Sequence, residues 1–409
     1  LSKTGYWFRI ALVNFFVAGL AGLTLRFAFV VELPWPNFMN GMHAHSHVAM
    51  LGWLYLAIYA LFIELFLPEA AKHSKKYTRL FWASEITIIG IFVTMITMGY
   101  HVSSIVFLSG HVILSYVFLG FFLKDIRNTK GAEVSKRFAR TALWFMAAST
   151  LALWAMGPLM ALSMAGSALY YASVQFFLHF QFNGWFIFAA LAIFFRVLGQ
   201  QGMSLEKKSL DQFYYLLVIS CILTYVLAVT WSTPIPLLFW INSLGVILQT
   251  AALFVFARMI IGAYPSAQKL LSPAGRRLFG IAMISFALKI FMQAVVVVPY
   301  FATISYTIRN FVIGFIHLIL LGMLTHMVLG AAVNTGIINS DSKRAKAGFL
   351  FLLIGFLLTE ILLFLQGTMF WAAVGFIPYY YELLFGASIL LPLAVFLILI
   401  SGKKHDLAS

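Results

Sequence analysis

The chain has a single cysteine, Cys221, and it lies inside an apolar run. That excludes a disulfide framework and a thiolate metal site. No Cys-x-x-Cys-His motif exists, which excludes c-type haem attachment. Charge is equally scarce. Asp, Glu, Lys and Arg make up 10% of the residues, where a soluble domain carries roughly 25%. Acidic side chains number 12 against 27 basic ones. No low-complexity tract occurs, and the longest polar connection, Lys124 to Arg140, is too short to fold alone. Hydrophobic residues fill the rest, at 63% of the chain and a mean hydropathy of +0.97.

These runs predict an all-α, polytopic membrane protein, because a backbone in lipid must satisfy its own hydrogen bonds. A bilayer-spanning helix needs about 20 apolar residues. Twelve spans are expected, at about 7–31, 42–66, 79–101, 103–123, 141–164, 172–197, 212–231, 235–262, 277–299, 306–331, 347–372 and 379–401. The first run, after Lys3 and Arg9, reads as a span and not as a cleaved leader. The turn near His101–Ser104 is the tightest of the connections. The whole of 1–409 is expected to form a single transmembrane helical domain.

The formal charge of +15 is distributed topologically. Basic residues concentrate in alternate connections: Lys72 to Arg79; Lys124 to Arg140; Arg196, Lys207 and Lys208; Arg258 to Arg277; Lys343 to Lys346; and Lys403 with Lys404. The other connections hold Glu32, Trp35, Tyr170, Tyr171, Tyr300 and Tyr379 to Tyr381. The positive-inside rule then places both termini in the cytoplasm. The bilayer is the expected partner, with other respiratory or membrane subunits beside it and no nucleic acid.

Seven of the ten histidines fall toward the outer ends of these spans: His43, His45, His47, His101, His111, His179 and His317. Ionisable groups at membrane depth are costly and mark cavities, partners or cofactors. At a rise of about 1.5 Å per residue, His43 to His47 lie within roughly 10 Å of the outer surface. His111 and His179 lie near roughly 10–12 Å, and His317 near roughly 15 Å. His73 and His405 sit in basic segments, and His326 belongs to the inner half. His43 and His47 share a helical face, whereas His45 points about 200° away. One helix can thus serve two sites, or one site and an interface. An echo links three spans: His47, His179 and His317 are each followed five positions on by Gly52, Gly184 and Gly322. Lys289 and Gln293, one turn apart, and Glu360 are also at membrane depth, and read as a neutralising pair, a proton route or a substrate site.

Together these features resemble the haem–copper oxidase superfamily and its relatives, the NnrS-type haem- and copper-containing membrane proteins. The resemblance covers most of the chain as architecture: twelve spans, with ligand histidines on the outer side of spans two, six and ten. His45-Ser-His47-Val-Ala-Met-Leu-Gly52 looks like the His-x-His helix of the nitric-oxide-reductase branch, where it lies on span ten. His179 with Gly184-Trp185 resembles the span-six helix that supplies a ligand to the second metal. Span seven, Gln212 to Trp231, departs from the pattern: it has no His where those reductases carry a His-His pair. The resemblance therefore implies that the binuclear site is missing or rebuilt from span two.

What it implies is b-type haem, with copper as a second candidate. Haem contacts are expected from His47, His179 and His317, with Arg26 and Arg309 facing propionates. Metal ligands are expected among His43, His45, His47, His111, His179 and His317. The expected role is electron transfer, or handling of nitric oxide or oxygen, in a bacterial inner membrane. The alternatives are a secondary transporter of metal ions or small solutes, and a non-catalytic subunit of a larger membrane complex.

Overall fold

The computed structural model describes residues 2–33, 37–129, 131, 133–230 and 235–402. Trp35, Lys130, Trp231, Lys403, Lys404 and His405 lie outside the described residues. Every regular element among the described residues is helical. Among the described residues twelve helices are long and apolar enough to cross a membrane. They are α1 (Lys3–Phe27), α2 (Phe38–Phe66), α3 (Lys75–Met98), α4 (Val102–Asp125), α5 (Glu133–Ala161) and α6 (Ala168–Gln200). The remainder are α7 (Lys207–Thr230), α8 (Pro236–Leu270), α9 (Pro273–Val295), α10 (Arg309–Asn334), α11 (Lys343–Trp371) and α12 (Tyr380–Leu399). The chain is an all-α polytopic membrane protein.

Each helix overlaps an expected span, but several run past it at the basic ends. Hydropathy finds the hydrocarbon boundary, whereas the helix stops where a cap or break stops it. Ser74, Ser272 and Ser342 cap α3, α9 and α11 by accepting from the backbone N–H of Lys76, Gly275 and Ala345. The 35 residues of α8 reach roughly 50 Å, beyond a hydrocarbon core of about 30 Å. The expected start of span ten, at 306, falls in a separate short helix, Pro299–Thr307, opened by its proline and closed by extended Ile308.

The close turn after α3 is Gly99-Tyr100-His101. Gly99 has φ +65°, and a Cβ there would come 2.5 Å from Oδ1 of Asn40. The turn is thus pressed against the start of α2. His101 caps α4 by accepting from the N–H of Ser103, so its role here is structural.

Contacts divide the chain into two compact units, Leu1–Thr129 with Val328–Ser409, and Lys130–Met327. In the first unit α12 packs on both α11 and α1, α1 lies on the middle of α2, and α3 pairs with α4. Small residues set the spacing: a Cβ on Gly348 would meet Ile398 at 2.7 Å, and one on Gly19 would meet Pro392 at 3.3 Å. In the second unit α5 lies on the middle of α6, α9 on the middle of α10, and α7 pairs with α8. The same local plan thus occurs three times along the chain. A helix lies across the middle of its successor (α1–α2, α5–α6, α9–α10), and a hairpin follows (α3–α4, α7–α8, α11–α12). The crossed helices are the most buried: 83%, 78% and 61% of the apolar stretch in α2, α6 and α10, against 28–44% in the others.

Candidate functional site

The middles of α2, α6 and α10 are π-helical, over Val48–Tyr55, Phe180–Phe186 and Leu318–Thr325. Each π segment begins at the residue after His47, His179 or His317, and each contains the glycine of the sequence echo. A π turn widens the helix and is frequent at functional sites. In α2 and α6 the glycine lets the crossing helix approach. A Cβ on Gly52 would lie 2.8 Å from Cβ of Asn14 in α1, and one on Gly184 would lie 2.6 Å from the Phe145 ring in α5. The large residue that follows is buried in every case, as Trp53, Trp185 and Met323. Trp53 stacks on Phe15 of α1, with centroids 4.6 Å apart. In α10 two side chains reach back five residues along the π segment: Thr325 donates to the carbonyl of Leu320 at 2.8 Å, and His326 Nδ1 to that of Leu321 at 2.7 Å. The three histidines are the tenth, twelfth and ninth residues of their helices, roughly 12–17 Å from the helix starts.

The first unit holds four of the candidate imidazoles. His43 and His47 face Tyr100 of the tight turn: the His43 ring meets it edge-on at 4.8 Å, and its hydroxyl lies 3.5 Å from His47 Nε2. His45 points the other way, as its helical position requires. Its Nδ1–H donates to the carbonyl of Ala18 at 2.9 Å, and its ring rests on Gly22, where a Cβ would come within 2.8 Å. The lone pair of His45 is therefore on Nε2.

His111, in α4, is 4% exposed and meets the Tyr55 ring at 4.8 Å. Its Nδ1 lies 3.1 Å from the hydroxyl of Thr87, which itself donates to the carbonyl of Ser84 at 2.6 Å. With the Thr87 proton committed, Nδ1 must carry the hydrogen and donate. The bare Nε2 of His111 is buried without a hydrogen-bond partner among the described residues. An anchored Nδ1–H with an open Nε2 is the state in which imidazole binds metals. His47 is close enough to interact electrostatically with both His43 and His111.

The second unit treats its imidazole differently. His179 donates Nε2–H to the carbonyl of Cys221 in α7 at 2.8 Å, and Nδ1 accepts from Asn183 at 3.4 Å. Both nitrogens are taken, and the ring ties α6 to α7. Gln181, two residues on, accepts from Ser149 of α5 at 2.9 Å. His317 is half-buried at the mouth of the α10 π segment.

Lys289 is 1% exposed, with His179 and Cys221 as its electrostatic neighbours. The carboxylate of Glu360, in the first unit, has Arg26 as its charged neighbour, and Arg26 also acts on His45. Arg309 is the exposed first residue of α10. Sequence reasoning did not single out Tyr100, Thr87, Asn242 or Gln249. Asn242 and Gln249 are buried on α8, seven residues apart, with side-chain oxygens that lack partners among the described residues. Uncharged amides at membrane depth could have drawn the same attention as the histidines.

Among the described residues no three His, Cys, Asp or Glu side chains converge as a metal-binding group. Two cavities, of about 520 and 200 Å³, lie toward the basic ends of the second unit, and neither is lined by histidine. No protein-family model matches the chain, and no curated protein sequence matches it.

Proposed function

We propose that this membrane protein binds b-type haem and serves electron transfer or the handling of a small diatomic such as nitric oxide or oxygen. The observation that carries the reading is the recurrence of histidine, π segment and glycine in the three most buried helices. His111 adds a buried imidazole with its metal-binding nitrogen open. Imidazole is one of the side chains that hold haem iron, and these histidines would supply that donor chemistry. A copper ion held by three imidazoles needs a convergence that the described residues do not form, which makes copper the lesser candidate. In the first unit His47 and His111 are the proposed ligands, with Arg26 toward the propionates; in the second, taken by itself, His317 is the candidate, with Arg309 eight residues before it. His179 would have to release the Cys221 carbonyl or Asn183 to join them. The bound haem would supply a one-electron couple. The chain's own part is to orient imidazoles: Thr87 sets the tautomer of His111, as the Ala18 carbonyl does for His45. The distribution of basic residues supports cytoplasmic termini, and the haem-protein reading goes with a bacterial inner membrane.

The test is an absorption spectrum of protein purified from haem- and copper-replete cells, oxidised and dithionite-reduced, with iron and copper assayed on the same sample. The expected result is a Soret band with sharp reduced α-bands, weakened by His47→Ala or His317→Ala. Copper without a Soret band would move the site to His43–His47. Absence of both metals would overturn the reading in favour of transport, for which buried Lys289 and the side-chain oxygens of Gln249 and Gln293, which lack partners among the described residues, provide polar sites.

A further inference from the structure

The larger cavity, of about 520 Å³, lies between the first turns of α7, the segment before them, and the last third of α8. Its wall carries two cations from different helices, Lys208 and Arg258, with the hydroxyls of Ser204, Ser209 and Ser266 and the amide of Gln212. Neither cation has an ion-pair partner among the described residues. The one carboxylate in the wall, Glu206, accepts from Ser209 at 2.6 Å, and the wall keeps a net positive charge. Two cations flanked by hydroxyl and amide donors match a phosphate oxyanion.

The surface beside the cavity says where that phosphate comes from. Ile247, Phe254 and Ile261 of α8 are 65%, 73% and 73% exposed. Seven residues apart, they form one stripe along the helix. At about 100° per residue, Arg258 lies roughly 40–60° around the helix from that stripe, between it and the cavity. The stripe runs from the apolar middle of α8 toward the basic end, where the helix outruns the hydrocarbon. An acyl chain on the stripe would bring its headgroup phosphate to Arg258. Basic pockets between membrane helices hold anionic headgroups in this way. We propose that this cavity binds the phosphate of an anionic phospholipid.

The test is native mass spectrometry of the delipidated full chain with phosphatidylglycerol, with phosphatidylcholine of the same acyl length, or with inorganic phosphate. Phosphatidylglycerol is expected to bind and phosphatidylcholine to bind far more weakly. The double variant Lys208→Gln/Arg258→Gln should weaken phosphatidylglycerol binding on the order of ten- to thirtyfold. Lys269→Gln, at the exposed end of the same helix, should change it by less than about twofold. Both cations are exposed and Gln is an adequate helix former, so the double variant should keep its melting temperature. Equal binding of phosphatidylglycerol by the wild type and the double variant overturns the proposal. So does equal binding of the two lipids. Inorganic phosphate that binds through the same two residues while phosphatidylglycerol does not would overturn the lipid source and assign the site to a free anion.

Discussion

His111 in the first unit and His179 in the second are alike in burial, at 4% and 8% exposure, and opposite in use. His179 spends one nitrogen on a carbonyl of the next helix and the other on Asn183. His111 anchors one nitrogen on Thr87 and leaves the other open. Burial of an imidazole in a membrane helix therefore does not by itself mark a ligand. The hydrogen bonds of both nitrogens separate the two: a ring satisfied at both ends is a tie between helices, and a ring held at one end keeps a nitrogen that no hydrogen bond among the described residues uses.

That contrast can be broken by substitution. The largest effect is expected for His179→Phe, which leaves the Cys221 carbonyl and Asn183 without their partner. It should destabilise the protein by about 2–3 kcal/mol in thermal unfolding in detergent. Gly184→Ala should follow, at about 2 kcal/mol, because its new methyl meets the Phe145 ring. Gly120→Ala in α4 finds open space and should be neutral or stabilising by up to about 1 kcal/mol. The smallest effect is expected for His111→Phe in cofactor-free protein, below about 1 kcal/mol. It removes an unpartnered nitrogen, while Thr87 keeps its bond to Ser84. Equal losses for His111→Phe and His179→Phe would erase the distinction. A Soret band lost in His111→Phe and kept in His179→Phe would sharpen it into an assignment of roles.

Much of this was legible in the residues. The twelve helices follow from apolar runs, since only helix satisfies the backbone in lipid. The divergence of His45 from His43 and His47 follows from helical periodicity and is seen in its contact with Ala18 and Gly22. The spacing of histidine and glycine marked the three π segments, though not that they would be π. Partners were less legible. Within the first unit Glu360 has Arg26 as its charged neighbour, and within the second Lys289 has His179 and Cys221, neighbours that no spacing in the sequence announces. The acceptor for His179 is a backbone carbonyl, a group that every residue carries and no motif reveals.

By itself the sequence determined that this chain is helical, that its helices are apolar enough to cross a membrane, and where along each helix a histidine falls. Those quantities depend only on local hydrophobicity and on the fixed rise of a helix. Tertiary structure alone decided which way each imidazole turns and whether its second nitrogen is satisfied. Those outcomes depend on which helix is brought alongside, and at Gly52 and Gly184 that approach is set by the missing side chain.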